Sequence, residues 1–104
     1  MDQNTTELEE AISKDYHVRF YDLDMNGHVN NSKYLDWIFE VMGAEFLTNH
    51  IPKKINLKYV KEVRPGGMIT SSYELNQLES NHQVTSDGDI NAQAKITWQE
   101  INKD

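Results

Sequence analysis

Six side chains able to do chemistry crowd into residues 22–31: Asp22, Asp24, Asn26, His28, Asn30 and Asn31. A carboxylate in such a loop can act as a general base or a nucleophile, and a histidine can move protons near neutral pH. Asparagine offers both a donor and an acceptor, so it can orient a water or a reacting group. Gly27 lets the backbone turn tightly among them. If a helix follows, its first turn presents unpaired N–H groups and a partial positive charge that would stabilise an oxyanion. Asp and Asn also fill loops and caps for the sake of their own hydrogen bonds. That local role is the expectation for Asp22, Asn30 and Asn31. For Asp24, Asn26 and His28 the residue types leave loop-building and catalysis equally open.

The elements around the loop follow from periodicity. Residues 16–23 read as a strand, with Val18 and Phe20 alternating with His17, Arg19 and Tyr21. After the loop, Leu35, Ile38, Phe39, Met42, Phe46 and Leu47 recur at helical spacing. This predicts one long helix from residue 32 to about 47, capped by Asn31 or Ser32, with Gly43 weakening it without ending it. Strands are then expected over 54–63, 69–77, 83–86 and 90–101. The turns between them fall at Arg64-Pro-Gly-Gly67, Glu79-Ser-Asn-His82 and Asp87-Gly88. The order is β-α-β-β-β-β, an α+β layout with one long helix on a mainly antiparallel sheet of about four or five strands. Residues 1–14 read as a polar lead-in and 15–104 as one domain. The last strand is long for its neighbours, so an edge or uncovered sheet face inviting a second unit is expected.

Composition bounds the function. The 104 residues suffice for one core, and the 17 acidic against 10 basic residues leave a net charge of −7. That balance argues against binding nucleic acid or an anionic membrane surface. No apolar run approaches a membrane span, and a cytoplasmic location is expected. With no cysteine there is neither a thiolate nucleophile nor a Cys-ligated metal. His17, His50 and His82 are scattered without metal-ligand spacing, and surface positions are expected for them. Lys53, Lys54, Lys58, Lys61 and Arg64 form the one basic concentration. It reads either as a solvated strand face or as a docking patch for an acidic partner.

The run Asp22-Leu-Asp-Met-Asn-Gly-His-Val-Asn-Asn-Ser-Lys-Tyr-Leu-Asp-Trp-Ile38 resembles the acyl–acyl carrier protein thioesterases of plants and bacteria. Its looser Asp-x-Asp-x-x-Gly-His-Val-Asn-Asn core resembles the wider hotdog thioesterase superfamily, acyl-CoA thioesterases included. Leu57-Lys-Tyr-Val-Lys-Glu-Val63 is similar to the narrower family's strand carrying Tyr-x-x-Glu-Cys. The resemblance spans residues 16–101 and implies a hotdog fold, a long helix wrapped by the sheet. It also implies hydrolysis of fatty acyl thioesters, on acyl carrier protein or coenzyme A, without metal or organic cofactor.

Carried over by position, the resemblance makes Asp24, Asn26, His28 and Glu62 the catalytic set. Asp24 would be base or nucleophile, Asn26 and His28 would orient water or thioester, and Glu62 would support the water or the histidine. Backbone N–H groups after His28, beginning at Val29, would polarise the carbonyl. Tyr34 and Trp37 match the family's Tyr-x-x-Trp and would contact the acyl chain, although helical spacing explains them equally as core. The family cysteine is Val63 here, which excludes a thiolate mechanism. Strict alternation along 54–63 points Glu62 away from the helix unless a bulge intervenes, which suits a site at an interface between two hotdog units. Members of the family usually carry two tandem hotdog domains with the motif in the C-terminal one. The chain therefore matches that unit, and a homodimer, a partner hotdog domain or a non-catalytic acyl-binding half are the alternatives.

Overall fold

The computed structural model describes residues 11–19, 23, 25, 29, 31–63 and 66–101. In chain order it contains β1 (Ile12–His17), α1 (Asn31–Glu40), α2 (Ala44–Asn49), β2 (His50–Tyr59), β3 (Met68–Asn76), β4 (Glu79–Ser86) and β5 (Asp89–Glu100). The strands form one sheet in the order β1-β3-β4-β5-β2, every neighbouring pair antiparallel. This is the expected α+β arrangement, a hotdog in which the sheet curls around a helix.

The core lies between α1 and the concave face of the sheet. Trp37, Ile38, Val41 and Met42 from the helical side meet Ile69, Val84, Ala92, Ile96 and Trp98, all buried. The alternation of Ala92, Ala94, Ile96 and Trp98 puts all four on this face, as period 2 requires. Trp98 is gripped edge-on by Phe39 and Phe46, with ring centroids 5.9 and 4.9 Å away. The Ser71 hydroxyl donates to the Trp37 carbonyl at 2.9 Å and ties α1 to β3.

Five sequence expectations are corrected. The single long helix is two: α1 ends at Glu40, its last turn tightens through Met42 N–H to Phe39 O and Gly43 N–H to Glu40 O, and α2 follows. Gly43 has φ +89° and ψ 153°, a region open essentially to glycine alone, so it breaks the helix instead of merely weakening it. The first strand is Ile12–His17 and has ended before Val18 and Arg19, with 20–22 of the expected strand outside the described residues; its register is chosen by pairing with β3, and a short edge strand tolerates polar residues on both faces. β2 begins at His50 and stops at Tyr59. Pro52 is accommodated because β2 is an edge strand with an irregularity between Pro52 and Lys54. The turn expected at 79–82 lies at Gln77-Leu78, where Gln77 takes φ +60°, and residues 79–82 are already strand. Finally, β5 is not an edge: it lies between β4 and β2, which explains its length.

His82 is likewise not on the surface. At 1% exposure it is the most buried titratable side chain among the described residues, because β4 register places it with Ser80 and Val84 on the core face. No described helix is long and apolar enough to cross a membrane.

Candidate active site

Asp24, Asn26 and His28, with Asp22 and Asn30, lie outside the described residues. Their flanks are described. Leu23 and Val29 pair as an isolated antiparallel bridge, and Val29 is buried against the core. α1 begins two residues later at Asn31, so the loop opens directly onto a helix N-terminus.

Glu62 comes to the same end of the molecule. β2 closes at Tyr59, whose ring meets Tyr34 edge-on at 5.2 Å and whose hydroxyl donates to the Asn31 carbonyl at 3.3 Å. Beyond it residues 60–63 leave the ladder. Val63 turns inward to 1% exposure and its N–H donates to the Tyr34 hydroxyl at 3.2 Å. Strict alternation therefore does not govern Glu62, because the strand has ended three residues before it. Glu62 is exposed, and its charge reaches Tyr34. Burial raises the Tyr34 pKa above the ordinary 10, the Val63 N–H works against this, and the Glu62 carboxylate raises it further.

A residue that sequence reasoning missed holds this segment. Asn91 sits at a register shift between β4 and β5, where Val84 opposes Ala92 while Thr85 opposes Ile90. Its backbone carbonyl accepts from Val60 N–H at 2.8 Å and Lys61 N–H at 3.2 Å. Its carboxamide donates to the carbonyls of Lys61 at 3.0 Å and Glu62 at 3.4 Å, and accepts from the Ser86 hydroxyl at 2.7 Å. Lys61 adds an ion pair to Asp89 at 2.7 Å. The available signal was an asparagine, a poor strand former, two residues beyond the Asp87-Gly88-Asp89 turn.

Tyr34 and Trp37 are core side chains, each 3% exposed, their rings edge-on at 5.8 Å. Trp37 also borders a groove of about 420 Å³ between β1 and α1. With Asp15, His17, Lys33, Asp36 and Glu40 in its lining, that groove is too charged to favour an acyl chain. Among the described residues no cluster of His, Cys, Asp and Glu is placed to hold a metal ion.

The acyl-ACP thioesterase C-terminal domain family matches residues 5–100. The chain is 37% identical over 65 residues to an oleoyl-acyl carrier protein thioesterase, chloroplastic, of Arabidopsis thaliana, a stretch covering 62% of this chain and 17% of that protein. Among solved structures it is similar to a Lactobacillus plantarum protein provisionally named an oleoyl thioesterase. There the TM-score is 0.85 at 28% identity, over 95% of this chain and 41% of the other. The 12:0-ACP thioesterase of Umbellularia californica shares the fold, with a TM-score of 0.79 at 22% identity over 97% of this chain and 40% of the other. The chain thus spans less than half the length of each of these relatives. Because the family pattern runs through both the polar loop and the Glu62 segment, the chain belongs to the acyl-ACP thioesterase C-terminal domain family.

Proposed function

We propose that this domain hydrolyses fatty acyl thioesters, with acyl carrier protein as the preferred carrier and coenzyme A thioesters as the alternative. One observation carries the reading most: the bonds from Tyr59 to Asn31 and from Val63 to Tyr34 bring the Glu62 segment to the start of α1, where the polar loop ends. In this mechanism Asp24 takes a proton from water, or attacks directly, and the carbonyl carbon forms a new C–O bond. The tetrahedral oxyanion is met by backbone N–H groups from Val29 onward at the helix N-terminus. The C–S bond then breaks and the leaving thiolate takes the proton drawn from water, giving the fatty acid and the carrier thiol; where Asp24 attacks directly, C–S cleavage leaves an acyl–Asp24 anhydride that water hydrolyses to the same products. Asn26 and His28 orient water and thioester, Glu62 supports the water or His28, and Val29, Tyr34 and Trp37 back the acyl site.

A second hotdog unit, another copy or a neighbouring domain, completes the site in this reading. Support comes from β2, the edge strand nearest Glu62. On its core side Ile55 and Tyr59 remain 38% and 48% exposed, although they pair with the fully buried Ile96 and Ala92. The convex face is more polar, carrying Ser13, Thr70, Ser72, Gln93 and Lys95, with Ile51 and Met68 as its exposed apolar side chains. Lys54 and Lys58 lie on that convex side of β2, a basic strip suited to an acidic carrier protein. A role in fatty acid metabolism, in the cytoplasm, completes this reading.

The test is hydrolysis of dodecanoyl-acyl carrier protein and dodecanoyl-CoA by the wild-type chain and by Asp24→Ala. A fall of at least about 100-fold in kcat is expected in the variant. Unchanged hydrolysis in Asp24→Ala would overturn the assignment of that residue.

A further inference from the structure

We propose that Asn91 is a positioning residue for Glu62: its buried carboxamide holds the Lys61 and Glu62 carbonyls and so sets where the Glu62 carboxylate stands beside α1. The inference rests on the catalytic reading of Glu62 given above. Residues 60–63 belong to no strand, so no ladder fixes their path. Asn91 replaces that ladder. Its carbonyl takes the N–H groups of Val60 and Lys61, and its Nδ2 meets the next two carbonyls in the chain. On the far side of Glu62, the Val63 N–H is held by Tyr34. Glu62 therefore lies between one anchor on β5 and another on α1.

The choice of an amide is not accidental to this geometry. Asn91 is 2% exposed, and an amide that deep costs free energy unless both its ends are bonded. The Lys61 and Glu62 carbonyls can only accept, which obliges Nδ2 to face them and leaves Oδ1 to take the Ser86 hydroxyl proton. An apolar side chain of similar size would pack there but leave both carbonyls without that donor. Aspartate would keep the Ser86 bond while setting a negative oxygen against them. Neither Asn91 nor Ser86 need touch substrate. Their effect passes through the backbone at positions 61 and 62, where a displacement of order 1 Å in a supporting group costs about 100-fold in rate.

The experiment compares wild type, Asn91→Asp, Asn91→Ala, Ser86→Ala, Glu62→Gln and the Glu62→Gln/Asn91→Asp double variant on the same two dodecanoyl thioesters. Amide hydrogen exchange is followed in parallel. Asn91→Asp is expected to lower kcat by about 10- to 100-fold while KM stays within about twofold, and Ser86→Ala to lower it less. In the double variant Asn91→Asp should cause no further loss beyond Glu62→Gln. Exchange should quicken at Lys61 and Val63 but not at Ile69 or Val84, which separates local release from general destabilisation. Additive losses, a wild-type kcat in Asn91→Asp, or exchange quickened equally everywhere would each overturn the inference. A Glu62→Gln enzyme at wild-type rate overturns the catalytic reading of Glu62 and this inference with it. A slow Glu62→Gln enzyme beside an unaffected Asn91→Asp overturns this inference alone. If the wild-type chain hydrolyses neither substrate, the functional reading fails, and unchanged Val63 exchange in Asn91→Asp would overturn the anchoring as well.

Discussion

His82 illustrates how much one side chain's surroundings decide. The Trp98 indole donates to the Ser80 hydroxyl at 2.8 Å, and that hydroxyl lies 2.7 Å from His82 Nε2. Ser80 has two acceptor sites and one proton, so it can serve the indole and Nε2 together, whereas Nδ1 has no partner among the described residues. Burial lowers the His82 pKa from 6.5 to about 4. The unfolded chain therefore binds a proton that the folded chain refuses between those values. Stability should be full above pH 6.5 and fall by about 3 kcal/mol as the pH drops towards 4. Urea denaturation of wild type and His82→Gln at pH 7.5 and 4.5 checks this: the variant should lose less stability on acidification. The histidine's identity was plain in the sequence but its burial was not, because nothing local to Asn81-His-Gln83 marks which face of β4 meets the core. The same holds for Asn91, whose role exists only because β5 passes beside residues 60–62.

Among the elements, the helical stripe was legible and its interruption was not. Ile38, Phe39, Met42, Phe46 and Leu47 do pack into the core, but from two helices and the turn at Gly43 between them, while Leu35 stays half-buried outside the core cluster. α2 is only six residues long and is secured at its end by side chains: Thr48, Asn49 and His50 bond the carbonyls of Ala44, Glu45 and Phe46. In Gly43→Ala the added methyl meets no neighbouring atom, but the residue is held at φ +89°, a conformation that glycine adopts freely and alanine does not. The substitution should destabilise the fold by about 1–3 kcal/mol, read as a lower urea midpoint at unchanged m-value. The Asp87-Gly88 hairpin, with φ of +51° and +81°, was readable because only a few residue types tolerate that turn. Replacing Ile38, which is fully buried in α1, with alanine should cost about 2–5 kcal/mol by the same assay.

At the scale of the whole molecule, β2 is the longer of the sheet's two edges, β1 being the other. Its core side leaves Ile55 and Tyr59 partly exposed at the strand leading to Glu62. Ile55→Lys should leave the monomer folded, since the side chain is already 38% exposed, yet it should abolish self-association if the second unit is another copy. Light scattering on the wild type and the variant measures it, and a wild-type monomer would direct the search to a different hotdog partner. By itself the sequence determined the α+β order, the core alternation of β5, the polar loop opening onto a helix and the exclusion of a cysteine nucleophile. These are local matters of period, turn chemistry and residue type. Only the tertiary structure decided that β5 is interior and β2 the edge, that His82 is buried, and that Asn91 and Tyr34 hold the Glu62 segment at the head of α1. Those facts depend on which strands pair and in what register, and residues 30 apart in the chain carry no local sign that they will meet.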